Sequence, residues 1–372
     1  MKIVVLGPAH PYRGGLATIM MTMAREMQSR GDEVKVYTFS LQYPSLLFPG
    51  KSQTVDTPAP QDLHIERVVN TCNPFNWIRL GRRLRREAPD IILLKYWTPF
   101  MAPCFGTIAR LARKNGKTKV LCQIDNVEPH EHHLTDRIFN RYFLGAVDGF
   151  VYMSEQVHGE LTAYTSAPML FSPHPMFENF GERVERNEAC KRLGIDNQYR
   201  YLLFFGLIRD YKGLDILLEA FERGENRDLR LLVAGEFYND KEQYRPLFER
   251  LGERVVLHDH FVADDDVKYY FSVADALVLP YRTATQSGVT QIAYNFSVPM
   301  VVTNVGGLPE IVADGRVGFV CEPTVEGVAE AIGRLDEESL ATFARNFPEE
   351  RKRFSWSAMC DKLLEVYKMA RG

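Results

Sequence analysis

The chain has few cysteines, and they are not arranged in pairs. Six cysteines are scattered over 372 residues, with no C-x-x-C pair and no histidine at the spacing typical of a metal site. This pattern gives no sign of a disulfide framework, and it favours the reduced, mostly buried thiols of a cytoplasmic protein. The first apolar run, from Lys2 to Leu6, ends at Gly7 and Pro8 and is too short for a signal peptide.

Long apolar runs and an excess of positive charge are also missing. No apolar stretch approaches the length that crosses a bilayer. The formal net charge of -3 argues against a nucleic-acid-binding protein, which is normally basic. The charge is uneven, because residues 1–175 carry about +5 and the remainder about -8. With 45% hydrophobic and 25% charged residues, the chain is expected to be globular and long enough for two domains.

The N-terminal half alternates predicted strands and helices. A strand from Lys2 to Gly7 is followed by Gly14-Gly15, a helix from Leu16 to Ser29 and a strand from Glu33 to Phe39. The two glycines suit a tight strand-to-helix turn, although their spacing is not that of the dinucleotide fingerprint G-x-G-x-x-G. Further strands that complete a doubly wound α/β domain are predicted at residues 90–94, 119–124 and 149–153.

A second cycle begins after Ser172-Pro173-His174-Pro175, which has the composition of a linker. Strands separated by helical patterns are predicted at residues 201–205, 229–234, 255–258, 276–279 and 300–303. The expected fold class is α/β, with two Rossmann-like doubly wound domains, 1–172 and 173–355, facing each other across a cleft. The amphipathic last helix, about 356–372, is expected to pack back on the first domain.

The stretch from Pro280 to Glu310 contains two strand-to-helix turns. A buried strand ends at Leu279, a polar loop follows, and a helix is predicted from Gly288 to Asn295. After the next strand, Gly306-Gly307 opens the second turn. Because a helix N-terminus presents unpaired N–H groups and the positive end of its dipole, two such turns predict a pocket for a phosphorylated ligand.

Several motifs in the second half resemble those of a known enzyme family. They are Phe205 to Gly213, Ala234-Gly235-Glu236, Val298 to Val301 and Gly306 to Glu310. Together they are similar to the donor-binding motifs of the retaining family 4 glycosyltransferases, which have the two-Rossmann GT-B fold. The resemblance implies a UDP- or GDP-linked sugar donor, no cofactor and no catalytic metal. It also implies that Gly14 and Gly15 form the N-terminal glycine loop that contacts the donor.

Within this resemblance, two cations and one helix start are predicted to bind the donor diphosphate. Arg209 and Lys212 lie in the loop after the first strand of the second domain, where a guanidinium and an ammonium suit a diphosphate. The backbone N–H groups of Ser287, Gly288 and Val289 begin the central helix and are further candidates. An isolated R-x-x-K would be read as two surface cations, but the surrounding motif favours the binding role.

The sequence departs from the family at two acidic positions. The family's glutamate pair, spaced E-x7-E, would fall at Thr283 and Gln291, and neither residue is acidic here. Gln291 can still hydrogen-bond a ribose diol through its amide. Thr283 is less obviously equivalent, so Thr285 or Gln286 is an alternative contact for the transferred sugar. The donor's identity therefore stays open.

The acceptor side is expected in the first domain, in the loop after the strand that ends at Ile124. The family commonly has a histidine at this strand end, and here the position holds Asp125, with His130 five residues later. We predict that Asp125 and His130 are catalytic. Three histidines and three acids in nine residues also allow a metal site, but their spacing fits no helix face, and an acid–base and binding loop is favoured.

One helix in the first domain is strongly basic. Between Trp77 and Arg86, an apolar stripe faces one way and Arg79, Arg82, Arg83 and Arg86 face the other. A solvated basic face is one interpretation, and peripheral docking on anionic lipid or on a polyprenyl-diphosphate acceptor is the other. The apolar loop residues 46–49 favour the second interpretation slightly.

The sequence therefore predicts a retaining, nucleotide-sugar-dependent glycosyltransferase with a glycan or lipid-linked acceptor, acting in cell-surface polysaccharide or glycolipid assembly. One alternative is a catalytically inactive nucleotide-sugar-binding subunit, which the missing E-x7-E pair would favour. The other is a GT-B nucleotide-sugar epimerase, which would need acidic base residues that the sequence does not place.

Overall fold

The computed structural model describes residues 1–12, 14–44, 54–55, 58–127, 134–224, 228–284 and 287–372. They form two compact units. The N-terminal unit consists of Met1–Pro173 and Trp356–Gly372, and the C-terminal unit consists of His174–Ser355.

The N-terminal unit is built on a seven-stranded, wholly parallel sheet with the strand order β3-β2-β1-β4-β5-β6-β7. Its strands are β1 Lys2–Leu6, β2 Glu33–Leu41, β3 Ile65–Asn70, β4 Ile91–Tyr96, β5 Lys119–Ile124, β6 Gly149–Tyr152 and β7 Met169–Phe171. β4 is buried along its whole length. Burial on both faces explains why it reads in the sequence as a continuous apolar run.

Helices cover both faces of this sheet. They are α1 Gly15–Ser29, α2 Pro74–Glu87, α3 Ala102–Ala112, α4 Leu134–Leu144, α5 Glu155–Thr162 and, at the end of the chain, α14 Trp356–Arg371. The buried side chains of α2 and α3 belong to the core on one face, and those of α14 and of α1, except Ala17, belong to the core on the other face. In α14, Met359, Leu363 and Val366 are fully buried against the sheet. A Cβ atom added at Gly149 would lie 2.3 Å from Val366, so only glycine fits this point of β6.

The structure of the basic helix α2 differs in one respect from the interpretation of its sequence, which concerns Arg83. Leu80 and Leu84 face the core as the periodicity predicts. Arg83 was assigned to the free basic face, and this was wrong. Its guanidinium lies 2.8 Å from a carboxylate oxygen of Glu66 and 2.6 Å from one of Glu87, so Arg83 ties α2 to β3. Helical periodicity places Glu87 one turn after Arg83, but it could not show the second partner, because Glu66 lies on β3 and is distant in sequence.

The C-terminal unit is built on a six-stranded parallel sheet with the order β10-β9-β8-β11-β12-β13. Its strands are β8 Arg200–Phe205, β9 Leu229–Ala234, β10 Val255–His258, β11 Ala274–Leu279, β12 Met300–Thr303 and β13 Gly318–Cys321. Its helices are α6 Arg186–Leu193, α7 Leu214–Glu222, α8 Arg245–Leu251, α9 Asp264–Val273, α10 Gly288–Phe296, α11 Leu308–Ile311, α12 Val325–Gly333 and α13 Glu337–Glu350.

The strand order of this unit creates a topological switch point. The chain runs outward from β8 through β9 to β10, and it then returns to place β11 on the opposite side of β8. The loops that leave the carboxyl ends of β8 and β11 are therefore neighbours, and ligands of open α/β sheets bind at such points. The predicted fold class, two Rossmann-like doubly wound α/β domains, is confirmed. Within the described ranges, no helix combines the length and apolar composition needed to span a bilayer.

Candidate functional site

The loop after β8 turns sharply at two glycines. Gly206 has a φ of +97° and Gly213 a φ of +67°, conformations that side chains disfavour. A Cβ atom added at Gly213 would lie 2.1 Å from the carbonyl oxygen of Pro280. The loop after β8 can therefore approach the loop after β11 only because residue 213 is glycine.

Arg282 holds these two loops together. Its backbone N–H donates to the carbonyl of Tyr211 over 2.7 Å. Its guanidinium donates to the carbonyl of Asp210 over 2.9 Å and makes two hydrogen bonds with the carboxylate of Asp215, one from each terminal nitrogen. This bidentate pair fixes the position of the start of α7 relative to the β11 loop.

Lys212 carries a buried ammonium between the two loops. The residue is 7% exposed, and its Nζ lies 5.7 Å from the centre of the Tyr281 ring. A Cβ atom added at Gly206 would lie 3.1 Å from this Nζ and 3.6 Å from Val289, which places the ammonium next to the first turn of α10. Among the described residues no carboxylate pairs with Lys212. Burial lowers the pKa of the Lys212 ammonium to about 8, and the nearby charge of Arg209 adds to the shift.

The N-terminus of α10, which begins beside this ammonium, is not capped by a side chain. Ser287 is the N-cap residue, yet its side chain does not cap the helix. The Ser287 hydroxyl lies instead 3.3 Å from the Tyr281 hydroxyl. The first N–H groups of a helix have no intrahelical acceptor, so those of Gly288 and Val289 are available to an anion. The structure thus brings together Lys212, Ser287, Gly288 and Val289, as the sequence predicts for a diphosphate site.

Arg209 lies in the same loop but on its exposed side. Its guanidinium carbon is 5.2 Å from the centre of the Tyr238 ring, a cation–π contact. No carboxylate among the described residues pairs with it. Arg209 is therefore an uncompensated cation three residues from Lys212, close enough to contribute to the shift in the Lys212 pKa.

The two positions of the missing glutamate pair differ in burial. Gln291 on α10 is 1% exposed, and its Oε1 has no hydrogen-bond partner among the described residues. Its Nε2 donates over 3.5 Å to the Thr290 hydroxyl. Thr283 is exposed. The backbone of the neighbouring Ala284 closely approaches the second glycine turn, because a Cβ atom added at Gly306 would lie 1.4 Å from the Ala284 carbonyl oxygen.

The predicted glycine loop belongs to the N-terminal unit. Gly14 has a φ of +99° and stands at the N-cap position of α1, and Gly15 begins the helix. A Cβ atom added at either glycine would meet no atom of the described residues within 4 Å. The space around both is therefore open, and their role in donor binding stays a prediction.

Asp125 follows β5 in the N-terminal unit and is paired with a buried lysine. Lys95 on β4 is fully buried, and its Nζ donates to Asp125 Oδ1 over 2.6 Å. The backbone N–H of Asp125 donates to the carbonyl of Tyr96 over 2.9 Å. The carboxylate is thus fixed at the carboxyl edge of the sheet and remains partly exposed, at 19%. Its catalytic role stays a prediction.

Three of the predicted site residues lie outside the described ranges. They are His130, Gln286 and Thr285. The apolar loop at 46–49 and the other histidines near His130 also lie outside them. Within the described ranges, no group of three or more His, Cys, Asp or Glu side chains is arranged to hold a metal ion.

The sequence analysis missed several residues that shape these sites. Lys95 stands in the apolar run from Ile91 to Tyr96, and a lysine there signals a buried charge that needs a partner. Tyr281 and the pair of Arg282 with Asp215 have no comparable signal. Lys212 is far from Tyr281 in the sequence, as Asp215 is from Arg282, and only the strand order of the sheet brings them close.

The chain is similar to known glycosyltransferases over nearly its whole length. The family described as "Glycosyl transferases group 1" matches residues 199–338, and the "Glycosyl transferase 4-like domain" matches residues 14–169. The D-inositol 3-phosphate glycosyltransferase of Corynebacterium aurimucosum is 27% identical, over 97% of this chain and 92% of the relative.

Two solved structures share the fold. HepE from Anabaena, in complex with UDP, gives a TM-score of 0.72 at 16% identity, with 99% of this chain and 100% of that chain covered. The lipopolysaccharide outer core galactosyltransferase WaaB gives a TM-score of 0.67 at 13% identity, with 98% and 99% covered. With the two family matches, which together span about four fifths of the sequence, these similarities establish that the chain belongs to the group 1 glycosyltransferases with the GT-B fold.

Proposed function

We propose that this glycosyltransferase is a retaining enzyme that transfers a sugar from a UDP- or GDP-linked donor to a glycan or lipid-linked acceptor. The observation that carries the proposal is the Lys212 ammonium, which is buried beside the N-terminus of α10 and has no carboxylate partner among the described residues. Retention of configuration is what the resemblance to the family 4 enzymes implies.

The charge arrangement at the switch point suits a diphosphate. A buried ammonium next to an open helix N-terminus and near a second cation is unfavourable until an anion neutralises it. A nucleoside diphosphate carries that anion, and its charge grows when the bond to the sugar breaks. Lys212, Arg209 and the N–H groups of Gly288 and Val289 would therefore stabilise the transition state more than the bound donor.

Gln291 and Thr283 supply the remaining donor contacts in this proposal. The Gln291 Oε1 is buried without a hydrogen bond among the described residues, a state that costs about 1–3 kcal/mol. A ribose hydroxyl that donates to Oε1 would remove this cost. Thr283 is exposed on the loop between β11 and α10, and in this proposal it contacts the transferred sugar.

The classes of donor and acceptor are supported by related proteins. HepE is found in complex with UDP, with UDP and glucose, and with UDP-glucose. The names of two similar proteins, an inositol-phosphate glycosyltransferase and a lipopolysaccharide galactosyltransferase, support an acceptor that is a phosphorylated polyol, a glycan or a glycolipid. We assign Asp125 to the acceptor side of the reaction, with no cofactor besides the nucleotide sugar.

A screen for donor hydrolysis tests the proposal. Purified protein is incubated with UDP- and GDP-linked sugars, and release of the nucleoside diphosphate is followed by a coupled luminescent assay. We expect slow release from at least one donor, and none from the variant with both Arg209→Ala and Lys212→Ala. Release that is unchanged in the double variant, or absent with every donor while the protein remains folded, would contradict the proposed site.

A second prediction concerns Gln291. The ribose is remote from the bond that breaks, so its contacts change little during the reaction and Gln291 contributes uniform binding. A neutral hydrogen bond contributes about 0.5–1.5 kcal/mol. We therefore expect Gln291→Ala to raise the donor KM by about tenfold at most, with kcat nearly unchanged.

The control for Gln291 is Asn295→Ala, which removes an amide side chain one turn further along α10 and should leave the donor KM closer to that of the parent enzyme. Steady-state kinetics with varied donor measure both constants. A fall in kcat as severe as that of Lys212→Ala would show that Gln291 touches the sugar or the phosphates instead of the ribose.

A further inference from the structure

The outer side of α2 forms an open groove of about 870 Å³ in the N-terminal unit. We call it the α2 basic groove. Its charged lining consists of cations only: Arg79, Arg82, Arg85, Arg86 and Lys114. All five side chains are exposed. The groove plays no part in the donor site described above, which lies in the C-terminal unit.

The positive charge of the α2 basic groove is uncompensated. Among the described residues, none of its five cations forms an ion pair with a carboxylate. Glu66 and Glu87 are both bound to Arg83, and none of these three residues lines the groove. Five neighbouring cations without counter-charges repel one another, so this surface favours an anionic partner.

The groove also exposes large apolar side chains. Phe75, at the second position of α2, is 83% exposed, and Ile78, one turn later, is 36% exposed. A phenylalanine so exposed beside arginines is unfavourable in water but suits the boundary between lipid headgroups and acyl chains. The inward residues Leu80 and Leu84 anchor the helix in the core, so the groove is held in a fixed orientation.

A second helix of the same layer repeats the pattern. α3 packs against both α2 and α4. On α4, Ile138 is 69% exposed and Phe139 is 37% exposed, and Arg137 and Arg141 are exposed beside them. Cations and bare apolar side chains therefore recur on two helices of one layer, as expected for a flat, anionic and partly apolar partner.

We propose that the α2 basic groove docks this protein on an anionic lipid membrane, with its arginines on lipid phosphates and Phe75 inserted between headgroups. Nucleic acid would also meet the charge, and a single strand could stack a base on Phe75, but stacking gives no role to the aliphatic Ile78 beside it. The docking is independent of the proposed donor chemistry, and it is tested without any nucleotide sugar.

The test is co-sedimentation of the full chain with phosphatidylcholine vesicles, with and without phosphatidylglycerol. We expect binding only to the anionic vesicles, and weaker binding as the salt concentration rises. Each cation near such a surface strengthens binding to the membrane by about fivefold. The variant with Arg79→Gln, Arg82→Gln and Arg86→Gln should therefore bind anionic vesicles on the order of a hundredfold more weakly than the parent. Arg83 is left unchanged because it holds α2 in place.

The matched control removes the same amount of charge elsewhere. The variant with Lys191→Gln, Lys352→Gln and Lys368→Gln changes three exposed cations outside the groove and should bind anionic vesicles nearly as the parent does. Phe75→Ser should weaken binding while leaving its salt dependence unchanged, because it removes only apolar insertion. Circular dichroism establishes that each variant is folded.

Three outcomes would overturn the proposal. The first is equal binding to neutral and anionic vesicles, or to neither. The second is equal loss in the groove variant and the matched control, which would show that net charge alone matters. The third is tighter, groove-dependent binding of a duplex oligonucleotide at the same salt concentration, which would assign the groove to nucleic acid.

Discussion

Replacing Lys212 by alanine is expected to lower donor turnover by about a hundredfold. The ammonium is buried next to the open N-terminus of α10, where in the proposed reaction it would meet the charge that develops on the leaving diphosphate. A hydrogen bond to a charged group contributes about 1.5–3 kcal/mol, and about 1.4 kcal/mol corresponds to a factor of ten in rate. Because this interaction strengthens as the bond breaks, the loss should fall mainly on kcat.

Steady-state kinetics with varied donor measure this loss, and Lys191→Ala serves as the matched control. Lys191 is an exposed lysine of the same unit, on α6, and should leave kcat unchanged. Arg209→Ala should also lower kcat, since its guanidinium carries the second free cation of the loop. A Lys212→Ala enzyme with raised KM and unaltered kcat would show that the ammonium binds donor and transition state equally.

The pH dependence of nucleotide binding provides an independent test of the role of Lys212. In the free protein, burial lowers the pKa of Lys212 to about 8. In the proposed site the diphosphate binds the protonated form, so affinity should be complete below that pH and should fall as the pH rises through it. The terminal phosphate itself ionises near pH about 6 and is fully charged in this range. Calorimetric titration with UDP should show this fall in the parent and not in Lys212→Met.

The sequence predicted the buried parts of the fold better than its edges. Strands such as β4 and β11 are buried on both faces. Their sequences are therefore short runs of mostly apolar residues, which can be recognised without a structure. The edge strands β3, β7 and β13 were not predicted. β7 and β13 are apolar but have only three and four residues, and in β3 the charged Glu66 and Arg67 interrupt the apolar run. The edge strand β10, with its unbroken apolar run at residues 255–257, was predicted although it is only partly buried.

Some residues of the candidate site could likewise be predicted from the sequence, and others could not. Lys212 and the start of α10 could be predicted because each lies in a motif that is local in sequence. The partner of Asp125 could not, because Lys95 is 30 residues away and only the parallel register of β4 with β5 places it beside the aspartate. Likewise, a motif assigns Gln291 to a ribose contact but cannot show that its Oε1 is buried without a partner among the described residues.

The pair of Lys95 with Asp125 gives the second large expected effect, on stability. Lys95 is fully buried, so Asp125→Ala leaves an ammonium in the core without its counter-charge. Breaking a buried pair in this way costs about 3–5 kcal/mol of the free energy of unfolding. Trp77, Trp97 and Trp356 are the three tryptophans of the sequence, and all lie in the N-terminal unit. Denaturant unfolding followed by tryptophan fluorescence therefore reports on the unit that contains the pair.

A double variant separates this structural role from catalysis. Adding Lys95→Met to Asp125→Ala removes the orphaned charge and fills its place with an apolar chain, so most of the lost stability should return. If Asp125 acts on the acceptor, turnover should stay low in the double variant, with donor KM close to that of the parent. Recovery of kcat together with stability would show instead that the Asp125 carboxylate only neutralises Lys95, and that the catalytic group of this unit lies elsewhere.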